Sequence, residues 1–123
     1  MKVKLPTQKK EIKDGKLVKE NNDKEFDLDT SIASQVRFEA KFPELSKNED
    51  LFEYSKRICA IEGLSASLII SKMKMLYCWF DTDITFIDFL KMFDLSDIEY
   101  SKKLADKIHE VFKIVYESSA EKN

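Results

Sequence analysis

Glycine, proline, cysteine, histidine and arginine are all scarce here: two Gly, two Pro, two Cys, one His and two Arg (Arg37 and Arg57) in 123 residues. Each shortage closes something off. So few turn residues disfavour a many-turned β architecture and favour long helices. With Gly15 and Gly63 as the only glycines, neither a phosphate-cradling loop nor a dinucleotide fingerprint can be written, which removes nucleotide binding by those routes. A single histidine, His109, leaves too few ligands for a zinc cluster and reads as an ordinary boundary residue of a helix. Cys59 has no histidine or orienting partner near it in sequence, so no Cys-His nucleophile is indicated. Cys59 and Cys78 stand in apolar surroundings and read as buried free thiols of a reducing compartment. Aromatics interleaved with Arg, the mark of a single-strand nucleic-acid platform, are missing.

Long hydrophobic runs are missing too. The longest, Leu68 to Phe80, is interrupted by Lys72 and Lys74 and falls short of the ~20 residues a bilayer requires. The N-terminus MKVKLPTQKKEIKDGK has no apolar stretch after its charges, so it does not read as a secretory signal, and the protein is expected to stay inside the cell that makes it. No membrane, cofactor, metal or catalytic role is expected.

What is present fits one domain with a real core: 43% of residues are hydrophobic and 36% charged. The 21 basic and 23 acidic side chains nearly cancel, to −2, which argues against generic attraction to nucleic acid. The balance hides an asymmetry. Residues 1–24 carry eight Lys against four acids, leaving 13 basic and 19 acidic groups in the other 99 residues. A basic arm (1–24) therefore precedes an acidic helical domain (25–123). In the arm, KVKL and GKLVKE alternate like short strands around Asp14-Gly15, a turn signal, giving a weak hairpin or a disordered segment.

Periodicity then predicts a mainly α fold, a small bundle of about five helices at roughly 31–41, 49–62, 66–80, 84–93 and 97–118. The first is the most ambiguous, because Val36, Phe38, Ala40 and Phe42 alternate while Ile32, Val36 and Ala40 repeat at four. Asp29 or Thr30 as cap and Pro43 as stop favour a helix. Leu51, Tyr54 or Ser55, Ile58 and Ile61 make the second stripe, after cap candidates Ser46 and Asn48 and before Gly63. Ser65 or Ser67 opens the third helix, Thr82 or Asp83 the fourth and Ser96 the last. Asp81, Asp83, Asp94 and Asp97 lie where one helix stops and another starts, so they read as caps and dipole partners, not as a catalytic carboxylate pair.

One block stands out. From Leu68 to Phe93, 17 of 26 residues are apolar, including the only Trp, three of four Met and four of nine Phe. Leaving it in water would cost roughly 25 cal/mol per Å² of apolar area. Its helix 66–80 is apolar on several faces, which points to the centre of a bundle or to a docking surface. Most of these side chains are expected in the core, with the surplus forming an oligomer or client interface. Met73, Met75, Tyr77, Trp79 and Phe80, with Phe86 and Phe89 next, are the candidate partner-binding residues, because soft and aromatic side chains repack against variable partners.

The order of DLDTSIASQVRFEAKFPEL, NEDLFEYSKRI and SKMKMLYCWFDTDITFIDFLKMFDLSDIEYSKKL resembles the tail assembly chaperones of long, non-contractile-tailed phages and prophages of Gram-positive bacteria, over about residues 26–123. The resemblance implies a small, mainly helical, non-catalytic protein of the host cytoplasm. Such a protein binds the tape measure protein, keeps it soluble, helps major tail tube protein assemble around it and is absent from the finished virion. It also implies a longer product made by a −1 frameshift, for which the codons of Glu121-Lys122-Asn123 are permissive. The competing reading is a small helical regulatory or DNA-associated protein that uses the Lys-rich arm.

Overall fold

A computed structural model describes the backbone of residues 1–121 and the side chains of residues 1–117; the segment that carries the frameshift expectation lies largely outside them. Over the described residues the fold is a long β-hairpin seated on six helices, which corrects the mainly α expectation to a mixed α and β one. Strands β1 (Lys2–Lys13) and β2 (Lys16–Asp27) are 12 residues each and pair antiparallel, Lys2 opposite Asp27 and Lys13 opposite Lys16. Asp14 (φ 53) and Gly15 (φ 73) form the two-residue turn, both in the left-handed region that such hairpins require. Scarce Gly and Pro argue against many turns, but one long hairpin needs only one.

Pro6 sits inside β1 without breaking the ladder. The Gln8 N–H donates away from β2, to the Met92 carbonyl at 3.1 Å. The backbone polar groups of even-numbered positions of β1 therefore point away from β2, and Pro6, lacking an N–H, falls on one of them. Those of odd-numbered positions of β2 point away from β1 likewise: the Asp27 carbonyl accepts from Asp81 N–H at 3.0 Å, and just beyond the strand Asp29 N–H donates to the Trp79 carbonyl at 2.7 Å.

The helices are α1 (Ile32–Lys41), α2 (Pro43–Ser46), α3 (Leu51–Cys59), α4 (Ala66–Trp79), α5 (Phe86–Leu90) and α6 (Ile98–Glu121). Pro43 both ends α1 and supplies the first position of the unexpected short α2, where its missing N–H is harmless. The caps differ from those expected by one to three residues in most cases. Ser31 caps α1, and Asp50 with Glu53 forms a capping box on α3. Ser65 caps α4 as expected, and Thr85 caps α5. Asp97, not Ser96, accepts from the Tyr100 N–H at the start of α6. Helices α3 and α5 are shorter than predicted, α3 because Ile61 lies beyond its end and α5 because the chain turns after Leu90.

Helix α4 is the axis of the core, with Ile69, Met73, Met75, Leu76, Tyr77, Cys78 and Trp79 buried. Helices α1, α3, α5 and α6 cover part of it. The base of the hairpin joins the same core: Val3, Leu5 and Phe26 are buried, and Phe26 stacks on Phe80, just past the end of α4, at 4.7 Å with an interplanar angle of 7°. The Tyr100 hydroxyl donates to the Pro6 carbonyl at 2.6 Å and pins α6 to β1. Beyond its base the hairpin projects, and residues 11–25 are all exposed. Among the described residues no helix is long and apolar enough to cross a membrane.

Candidate docking surface

Of the seven residues singled out from the sequence, six are core. Met75, Phe80 and Phe89 are fully buried, and Met73, Tyr77 and Trp79 nearly so. Phe86 is half-buried, its ring 5.1 Å from Phe42 and 5.2 Å from Tyr77. Tyr77 donates its hydroxyl to the Ile84 carbonyl, and Met75 contacts the Cys59 sulfur at 3.7 Å. In this conformation none of the six offers a face to a partner. Two of them border open depressions: Trp79 lines a cleft beside α1, and Met73 lines a smaller one with Ile69, Ile70 and Phe93.

Exposed apolar side chains lie elsewhere: Ile12 and Leu17 at the hairpin tip, Ile87 and Ile98 singly, and a stripe on α1. This helix turns Ser34 and Phe38 into the core, where the Phe38 ring meets Tyr54 at 5.5 Å. The stripe that repeats at four, Ile32, Val36 and Ala40, faces solvent: Ile32 is 86% and Val36 60% exposed. A surface helix ordinarily buries such a stripe. Eight residues of helix span about 12 Å, enough for two turns of a partner helix.

Beside Ile32 the surface dips into a cleft of about 390 Å³ between α1, the start of α3 and the C-terminal half of α6, lined by Leu51, Phe52, Trp79 and Val115. Its geometry is set by local bonds. The Gln35 amide oxygen accepts from the Leu51 N–H at 2.8 Å, satisfying one of the free donors at the start of α3 and tying it to α1. Trp79 and Phe52, both in the lining, are linked behind it by a chain of stacked rings: Trp79 to Phe112 at 6.4 Å, Phe112 to Tyr116 at 5.8 Å, Tyr116 to Phe52 at 6.2 Å. Phe52 and Tyr116 are 42% and 43% exposed. The repeat of Ile32, Val36 and Ala40 was visible in sequence. What decides its direction is that Phe38, the largest side chain of the helix, lies on the opposite face and takes the core.

Arg37 holds α1 in place. Its Nε donates to the Cys78 carbonyl at 2.7 Å, and its other nitrogens reach the Asp29 carboxylate at 3.1 Å and the Asp29 carbonyl at 3.0 Å. Hydrogen bonds from Ser31 first, and Arg37 after them, lower the Asp29 carboxyl below its ordinary range.

The basic arm is partly neutralised by the molecule itself. Lys10 reaches Ser96 and Asp94, and Lys19 pairs with Asp97 at 3.1 Å. The acids at the start of α6 thus cap locally and also receive the hairpin. Among the described residues no group of three His, Cys, Asp or Glu side chains is placed to hold a metal ion. Burial pushes the Cys59 and Cys78 thiols up to about 11 and about 12, which keeps them protonated and inert as nucleophiles near neutral pH. No family model, curated protein or solved structure matches the chain.

Proposed function

We propose that the protein is a non-catalytic tail assembly chaperone that docks apolar helices of a phage tape measure protein on the outer face of α1 and the adjoining aromatic cleft. It keeps that protein soluble in the host cytoplasm, helps major tail tube protein assemble around it and does not enter the finished virion. The observation that carries this reading is the outward apolar stripe Ile32, Val36 and Ala40 beside half-exposed Phe52 and Tyr116. An apolar strip flanked by a groove suits an amphipathic helix that presents residues at i, i+3, i+4 and i+7. The resemblance to tail assembly chaperones supplies the client. The DNA-associated reading has less support, because Lys10 and Lys19 of the arm are engaged by Asp94 and Asp97.

The test is co-expression with a phage tape measure protein, the proposed client. The wild type is expected to keep the tape measure protein in the soluble fraction. Ile32→Asp/Val36→Asp is expected to leave it in the pellet while remaining folded itself, since exposed substitutions usually shift stability by no more than ~0.5 kcal/mol. A tape measure protein equally soluble with the double variant, or without this chain, would sink the proposal.

A further inference from the structure

Lys72 is a lysine in the core, 1% exposed. Its Nζ donates to the Ile61 carbonyl at 3.1 Å and lies 2.8 Å from Nε2 of His109. These are uncharged partners from two other parts of the fold: Ile61 follows α3, Lys72 is in mid-α4 and His109 is in α6. At 2.8 Å an ammonium N–H needs the lone pair of Nε2, so the imidazole that fits is neutral, with its proton on Nδ1. His109 is half-buried, so it can still exchange a proton with water.

We propose that the Lys72–His109 contact is an acid-released clasp: with one positive charge shared there, α6 is held to α4 and to the segment after α3, and a second charge on His109 undoes the hold. When both groups are protonated, two donors face each other with no lone pair between them, in surroundings that solvate neither well. The other titratable groups facing the pair are Cys59 at the end of α3, Glu62 just after it, and Asp106 one turn earlier on α6. The Cys59 thiol is neutral at the relevant pH. Glu62 and Asp106 favour an imidazolium, but burial first and Lys72 second outweigh them and lower the His109 pKa from its ordinary 6.5. The unfolded chain therefore binds the proton more readily. The part of the stability linked to His109 is complete above about pH 6.5 and falls as pH drops from there through the lower folded value; burial also lowers the Lys72 pKa, but that linkage acts at higher pH.

His109 is the only histidine, so its ring gives a single imidazole titration in NMR spectra of the full chain. The experiment follows that resonance, and the urea midpoint from about pH 7 to about pH 5, in the wild type, Lys72→Met and His109→Gln. Met fills the space of Lys72 without its charge, and the Gln amide oxygen can accept the Lys72 proton without titrating. The wild-type imidazole should titrate below 6.5, move up in Lys72→Met, and lose stability on acidification by more than His109→Gln does. A wild-type His109 that titrates at or above 6.5, an imidazole unmoved by Lys72→Met, or an equal acid loss in His109→Gln overturns the clasp. If Lys72→Met does not fold, the wild type and His109→Gln decide between these outcomes on their own.

Discussion

Replacing Arg37 with Ala should destabilise the fold by about 2–4 kcal/mol, a large share of the roughly 5–15 kcal/mol that holds a typical domain together. The figure follows from what the guanidinium touches. Its Nε bond at 2.7 Å serves the Cys78 carbonyl, one of the last carbonyls of α4 and so without an acceptor role inside its own helix. Leaving that carbonyl unpaired beside the buried Cys78 side chain costs about 1–3 kcal/mol. The ion pair with Asp29 has side chains 22% and 31% exposed, so it is discounted towards the ~0.5–1 kcal/mol of a screened pair. Arg37→Lys keeps the charge but cannot reach Cys78 and Asp29 together, and should recover only part of the loss. Urea unfolding followed by fluorescence reads this directly, because Trp79 is the single tryptophan, is 3% exposed and adjoins Cys78. With a slope of about 1–3 kcal/mol/M, the midpoint of Arg37→Ala should fall by roughly 1–2 M. A midpoint within ~0.5 kcal/mol of wild type, or full recovery by Lys, would refute the role given to this side chain.

Two further substitution or labelling results are expected. Cys59 and Cys78 should resist iodoacetamide near neutral pH in the folded protein and react only as urea unfolds it, because both are buried and their thiols are pushed up to about 11 and about 12; prompt labelling of folded protein would contradict this. Gly63→Ala should destabilise more than Gly15→Ala, measured by the same unfolding assay. At Gly63 (φ 136) an added Cβ meets Leu68 only at an ordinary 3.6 Å, so the loss is backbone strain of about 1–3 kcal/mol, whereas Gly15 (φ 73) sits in the left-handed well that Ala enters for roughly 1 kcal/mol. The reverse order would show that the space around these residues matters more than φ.

The helices were legible in the sequence where the apolar stripe was regular, even where the cap lay one or more residues from the expected one. Leu51, Tyr54 and Ile58 with the first turn of α3, and Leu104, Ile108, Val111 and Val115 of α6, face the core as their spacing implies. The Asp14-Gly15 turn was legible too. What the sequence concealed was how much the hairpin contributes. A strand reading KVKLPTQKKEIK alternates poorly, and only its base is buried, yet Val3, Leu5 and Phe26 join the helical core, β1 packing on α6 and Phe26 covering Phe80 just past the end of α4. That cover accounts for the apolar surplus of Leu68 to Phe93: Phe80 and Phe89 are covered by Phe26 at 4.7 and 5.5 Å. The exposed apolar surface fell instead to α1, whose two apolar faces compete for the interior and whose Phe38 face is the bulkier.

The central claim is that the outward face of α1 receives an apolar helix. The most direct measurement is methyl NMR of Ile32 and Val36 during titration with recombinant amphipathic helical fragments of a phage tape measure protein, the proposed client. The account predicts that these two methyl groups shift and saturate together with ring-current changes from Phe52 and Tyr116, while the buried Met75 methyl stays put. Saturating binding that leaves Ile32 and Val36 unshifted and perturbs only the projecting hairpin would contradict it.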